Sequence, residues 1–245
     1  MAITIRGNME ALQPLSPIRW TEYKQRLVKY SEMEYPRRRQ LIFRGQSDSR
    51  YELKTTLDRM LENLPAGSNS DRDSYENQLR VEFMSQSRGL EDYPDQNELP
   101  AILALARHHG LPSPLLDWTE SPYVAAYFAF DPDVAHDTKA ISIWILDRNV
   151  YAERNSPSDV LEFLDSDDVL RLNNRAIEQR GLFLWVKKLD QPLQVKLRSM
   201  VSRIDIDIQD RDIALADLDA MMINARTMFR TLEGAARLAT RRILK

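Results

Sequence analysis

The chain of 245 residues contains no cysteine. Disulfides, thiol catalysis, thiolate zinc sites and iron–sulfur clusters are excluded together, and the setting expected of a chain without thiols is cytoplasmic. Histidine is scarce too, confined to His108, His109 and His136. Two adjacent rings cannot share one face of a regular element, so a transition-metal site lacks donors and no metal is expected. No apolar run approaches the roughly 18 to 20 residues of a bilayer span, and the opening MAITIRGNME has no apolar signal core, so neither membrane contact nor export is expected. Positive charge is not in excess: 34 Lys and Arg against 37 Asp and Glu leave a net charge of −3. Without a general positive field to hold a phosphate backbone, nucleic acid is disfavoured as a partner. A Gly-x-Ser-x-Gly elbow and a Gly-Lys-Ser phosphate loop are both missing, which removes support for a hydrolase triad and a P-loop enzyme.

What is present is an ordinary globular composition, 43% apolar and 29% charged. Its length suits one domain of mixed elements. Periodicity predicts a short strand at Ile3 and Ile5, a helix over 20–32, and a buried strand over 40–43 that enters a loop at Arg44-Gly45. Helical spacing resumes over 53–64, and 65–71 is a loop rich in small and polar residues. Tyr75, Leu79 and Phe83 mark a helix with one face to a core. A second helix over 99–107 opens at Pro100, and an irregular segment, 108–119, follows it. Ser121-Pro122 reads as an N-cap and first-turn proline of a helix running to about Phe130. Residues 140–146 read as a central strand, 157–164 as a helix, and 181–187 as another strand. Residues 204–208 alternate as a strand with one wet face, so Asp205, Asp207, Asp210 and Asp212 are expected to be solvated rather than to bind magnesium. Helices over 212–222 and 232–243 close the chain. The expectation is α+β: a single domain with a mixed central sheet flanked by helices. Its subdivision would be an extension over 1–35, a core over 36–190, and a C-terminal strand with helices over 191–245.

Seven glycines in 245 residues is few, and Gly45, Gly110 and Gly181 fall in the segments with most chemistry. Arg44 at the end of a buried strand beside Gly45 suits an anion, since a guanidinium fork matches phosphate or carboxylate and a bare backbone admits close approach. The bland alternative is an internal ion pair. Asp117 lies between Leu115-Leu116 and Trp118, in surroundings expected to be dry. Its carboxylate then needs hydrogen bonds or a cation, with His108 and Arg44 as candidates, and structural bracing is favoured. Thr119 and Trp118 are the better ligand-facing groups, through a hydroxyl and a flat surface. If the strand toward Gly181 has begun by residue 178, Glu178 and Gln179 point to opposite faces, and one of them can line a site.

Three ordered blocks carry a resemblance. Phe43-Arg44-Gly45-Gln46, the run from His108 through Leu111-Pro112-Ser113-Pro114-Leu115-Leu116-Asp117-Trp118-Thr119 to Ala125, and the run from Asn174 through Glu178-Gln179-Arg180-Gly181 to Phe183 are similar to the FRG domain family. The segment 228–236 is similar to that family's closing block. The likeness runs from about residue 20 to the end, with departures at Ser113-Pro114, where the family tends to Thr-Arg, and at Arg230, where it has proline. It implies a bacterial or phage setting. A more distant similarity is to ADP-ribosyltransferases, in which an Arg-Gly pair ends the first strand, a Ser-Thr-Ser-type strand leads to an Ala-x-x-Phe-Ala helix, and a later strand supplies a glutamate. That resemblance implies an ADP-ribosyltransferase-like fold with NAD as substrate. Arg44, Gly45, Gln46, His108, Asp117, Trp118 and Thr119 would bind the dinucleotide, and Arg44, Thr119 and Glu178 or Gln179 would serve transfer of ADP-ribose or hydrolysis of NAD through an oxocarbenium-like state. A protein acceptor, and a role as toxin or phage-defence effector, would follow. The competing expectation is a noncatalytic module that recruits a protein partner through a degenerate pocket, favoured if Gln179 lines the cleft instead of Glu178.

Overall fold

The computed structural model describes residues 16–34, 40–65, 71–90, 98–131, 137–154, 160–170, 174–197 and 200–243. The expected strand at Ile3 and Ile5, most of the 65–71 loop, His136 and the start of the 157–164 helix lie outside them. Among the described residues six strands make one open sheet: β1 (Leu41–Gln46), β2 (Leu115–Thr119), β3 (Ala140–Asp147), β4 (Leu161–Leu164), β5 (Gly181–Val186) and β6 (Val201–Asp207), in the order β4-β5-β2-β1-β3-β6. All five neighbouring pairs are antiparallel. The fold is therefore α+β as expected, but the expected mixed sheet is corrected to an antiparallel one; among the described residues one isolated parallel bridge joins Ile18 to Ile206 of β6.

Alternation along the strands divides the core in two. Leu41, Phe43, Ile141, Ile143 and Ile145 meet α1 (Trp20–Ser31), α5 (Pro122–Phe130) and α10 (Arg211–Ala220). Ile42, Leu116, Trp118, Trp144, Leu146, Leu182 and Leu184 face the other way, where Leu53, Tyr151, Leu193 and Leu197 cover them. With both faces covered, all eight residues of β3 are buried, which is why that segment reads as an unbroken apolar run. A smaller cluster joins Leu115 and Phe183 to Leu103 and Ala104 of α4 (Leu99–His108).

Local signals place most helices. Ser121 accepts from the Val124 N–H, capping α5 with Pro122 in its first turn. Thr55 and Asp58 form a reciprocal capping box that starts α2 at Thr56, so the helix spans Thr56–Glu62 and Leu53 precedes it. The helix through Tyr75, Leu79 and Phe83 forms as α3 (Arg72–Gln86), but none of its residues is fully buried. It lies on the periphery, held by Arg72, which donates to the carbonyls of Val186 and Lys187 and to Asp58.

Four further expectations are corrected. The first strand does not end at Arg44, because Arg44, Gly45 and Gln46 pair with Trp144, Ile143 and Ser142. The segment from His108 is irregular only as far as Pro114, since Leu115 onward is β2. Leu161–Leu164 is strand β4, paired along β5, where a helix was expected. A four-residue apolar stretch carries too few turns to settle its period, and an open sheet edge settles it instead. Finally, the acidic ladder is not uniformly wet: Asp212 is exposed and Asp207 partly so, but the other two are buried. Asp205 is buried, accepting from Ser142 and Arg203, and Asp210 is buried, accepting from Arg19 and the Trp20 N–H. The charge is tolerated because each carboxylate gains a cation and a second donor. Helices α6 (Arg148–Arg154), α7 (Asp167–Leu170), α8 (Asn174–Glu178), α9 (Leu193–Lys196), α11 (Ala225–Phe229) and α12 (Leu232–Ile243) complete the chain, and no helix among the described residues is long and apolar enough to cross a membrane.

Candidate functional site

The candidate site lies where the sheet is least closed. β1 shares six register pairs with β3 but one with β2, Phe43 opposite Thr119. Beyond that pair the two strands part. Arg44 then supplies what the ladder does not: its Nη1 donates to the Asp117 carbonyl at 2.7 Å. Helix α5 presses on the same stretch. A Cβ on Gly45 would stand 2.0 Å from the Ala125 carbonyl oxygen, so helix packing by itself requires glycine there, and Gly45 also lines the cavity that opens at this point.

At this parting lies a cavity of about 450 Å³, within the roughly 300–1,000 Å³ of small-molecule sites. Because the ladder is open, both faces of the sheet reach it. Phe43, Asp117 and Thr119 come from one and Arg44, Trp118 and Leu182 from the other; Arg107 and His108 of α4, Phe128 of α5 and Gln179 close the walls. Apolar rings thus stand beside a small set of charged and hydrogen-bonding groups, the composition of a site that orients an amphipathic ligand.

The charges are unequal in number. Arg107 Nη2 donates to Asp117 Oδ2 at 2.8 Å, and Arg44 Nη1 is 3.6 Å from the same oxygen. Burial opposes ionisation of Asp117, but the charges of Arg107 and Arg44 outweigh it and hold the carboxyl below its usual range. The Asp117 side chain lies deep in the molecule and is nonetheless 45% exposed, because it borders the cavity; the dry surroundings expected for it are corrected accordingly. Burial pushes the Arg44 guanidinium down to about 10, partly offset by Asp117 and reinforced by repulsion from Arg107 and Arg59. It is cationic at neutral pH. Two cations against one anion leave the cavity net positive, and the Nε atoms of Arg44 and Arg107 are buried without acceptors.

The other expected residues divide. The Thr119 hydroxyl donates to the Gln179 carbonyl at 2.6 Å and accepts from the Ser121 N–H at 3.1 Å, so it ties β2 to the entry of β5. Trp118 is 2% exposed and packed in the second core cluster, which makes it wall rather than open stacking surface. Gln46 is not in the cavity. It is buried beneath the sheet, accepting from Trp144 Nε1 and donating to the Glu52 carbonyl, and its expected part in cofactor binding is corrected. Glu178 is outside the cavity as well, at the surface in an ion pair with Arg230. Gln179 lines it, its amide donating to the Met228 carbonyl at 2.9 Å. Strand alternation is not the reason the two diverge. Glu178 ends helix α8, Gln179 lies in a turn, and Arg180 takes a left-handed φ of 46° before β5 begins. Arg230 is left-handed too, with φ 50°, which proline at that position could not adopt.

Arg107 is the residue that sequence reasoning missed. It is the penultimate residue of α4, directly before His108-His109, and only its contact with Asp117, ten residues on, distinguishes it from any basic residue near a helix C-terminus.

An antiparallel α+β domain with an arginine-lined cavity at a parted pair of strands is the class defined by these observations. Residues 39–138 match the family model of the FRG domain, and the chain carries an FRG domain. The match takes in β1, α4, β2 and α5, hence Arg44, Arg107 and Asp117; Gln179 lies beyond it. No curated protein matches the chain, and no solved structure does.

Proposed function

We propose that the cavity binds an anionic dinucleotide of the NAD type, and that this FRG-domain chain works as a binding module that presents the liganded surface to a protein partner. The observation that carries the reading is the pairing of two arginines with one carboxylate in a cavity lined by Gln179 and not by Glu178. The net positive charge favours phosphate oxygens, while Phe43, Phe128 and Phe183 supply apolar walls for ring systems. Loss of nicotinamide needs negative charge near the developing ribosyl cation, and a neutral amide supplies none.

The reading in which the chain transfers ADP-ribose or hydrolyses NAD is favoured by one observation, that Asp117 is ionised and borders the cavity. Against it, the same carboxylate is engaged by Arg107 and Arg44. Titration of NAD followed by calorimetry, with free nicotinamide assayed in parallel, separates the two. Saturable binding that is lost in Arg44→Ala, without nicotinamide above the protein-free rate, is the expected result. Release of nicotinamide that disappears in Asp117→Asn would establish the enzyme instead, and no binding at all would remove both readings.

A further inference from the structure

The described residues hold a second buried arginine–aspartate pair for comparison. Arg203 and Asp205 are 7% and 2% exposed and pair at 3.0 Å, with the Ser142 hydroxyl also donating to Asp205. Each charge has an opposite partner there and water is shut out, which is how a structural pair survives burial. Asp117 differs in each respect. Two guanidinium groups share one of its oxygens, its side chain is 45% exposed to the cavity, and the pairing leaves positive charge uncancelled. Its strongest contact, at 2.8 Å, comes from the side chain of Arg107, whereas Arg44 is held mainly by the Asp117 carbonyl at 2.7 Å. The carboxylate can therefore turn away without releasing Arg44 from β2.

We infer that Asp117 is an internal stand-in anion, which holds Arg107 and Arg44 in a receptive arrangement and is displaced from them when a phosphate group of the ligand enters. The inference rests on the anionic-ligand reading above and adds to it the position of the phosphate, between Arg44 and Arg107, and the group it must displace. A phosphate offers several oxygens to guanidinium groups of which Asp117 Oδ2 occupies a small part, and charge-assisted pairs of this geometry are the stronger ones. The carboxylate competes for the same donors and repels the incoming anion, so it weakens affinity while organising the site.

The test is calorimetric titration of the full chain with inorganic phosphate and, separately, with NAD, comparing the native protein with Asp117→Asn and Arg107→Ala. Asp117→Asn keeps the shape and removes the charge. The expected result is affinity for both probes raised about tenfold, which is 1.4 kcal/mol, with binding lost in Arg107→Ala. Tighter phosphate binding in Asp117→Asn with no NAD binding to any form would support the displacement and sink the dinucleotide reading. NAD binding unchanged or weakened in Asp117→Asn would overturn the displacement and leave the dinucleotide reading standing. If Asp117→Asn does not fold, the native protein crystallised with phosphate decides: a carboxylate turned away from Arg107 supports the inference, and one still at 2.8 Å from Arg107 Nη2 with phosphate bound overturns it.

Discussion

Strand β1 treats its two neighbours differently. With β3 it forms six consecutive pairs, from Leu41 opposite Asp147 to Gln46 opposite Ser142, and every residue of β3 is buried. With β2 it forms one. The β1–β3 seam is built of backbone hydrogen bonds and apolar side chains whose role is to exclude water. At the β1–β2 seam a guanidinium replaces part of the ladder, and the space so opened admits charge. One strand thus contributes its polar edge to a site and its apolar pattern to the core, and rigidity on one side permits opening on the other.

The contrast can be broken in order of expected effect. Ile143→Ala, in the closed seam, should cost about 2–5 kcal/mol of unfolding free energy through lost burial and a residual cavity, measured by denaturant titration. Gly45→Ala should cost about 1–3 kcal/mol, because the new methyl group forces α5 away from β1. Unlike the first substitution it should also weaken ligand binding, since Ala125 and Phe128 of α5 move with it. Acid titration gives a third contrast. Asp117 has its folded pKa held below the unfolded value of about 3.9, so its ionised form adds stability above that pH, and this is lost as pH falls through the folded value. Asp117→Asn should flatten that part of the acid-unfolding curve, and an unaltered curve would mean that the arginines do not hold the carboxylate. The smallest effect is expected for Glu178→Gln. Its ion pair with Arg230 is exposed, so stability should change by about 0–1 kcal/mol and affinity for NAD not at all; a large loss of affinity would place Glu178 at the ligand after all.

How much of this was legible in the sequence follows from the range of each signal. Ser121-Pro122, the apolar run at 140–146 and the spacing of Tyr75, Leu79 and Phe83 are local statements about turns and periods, and the elements they mark formed. Arg44, Asp117, Thr119 and Gln179 could be singled out because charged or polar groups stood among apolar ones or beside glycine. Residues whose surroundings are supplied from far along the chain were misread. Asp205 looked solvated because Ser142, which donates to it from strand β3, could not be seen to pair with it, although its cation Arg203 is two residues away. Leu161 to Leu164 looked helical because the edge of β5 was not visible. Gln46 shared a motif with Arg44 but was claimed by Trp144.

The sequence by itself determined the α+β class, the buried central strand, the capped helix after β2 and the family likeness, since composition, period and capping chemistry act within a few residues of one another. Only the tertiary structure decided that β1 and β2 part after one pair, that Arg107 comes to Asp117, and that Gln179 faces inward while Glu178 faces water. Those outcomes depend on the register of strands far apart in the chain and on a left-handed turn at Arg180. The balance of two cations against one anion, on which the proposed ligand rests, is a property of that convergence and of no single motif.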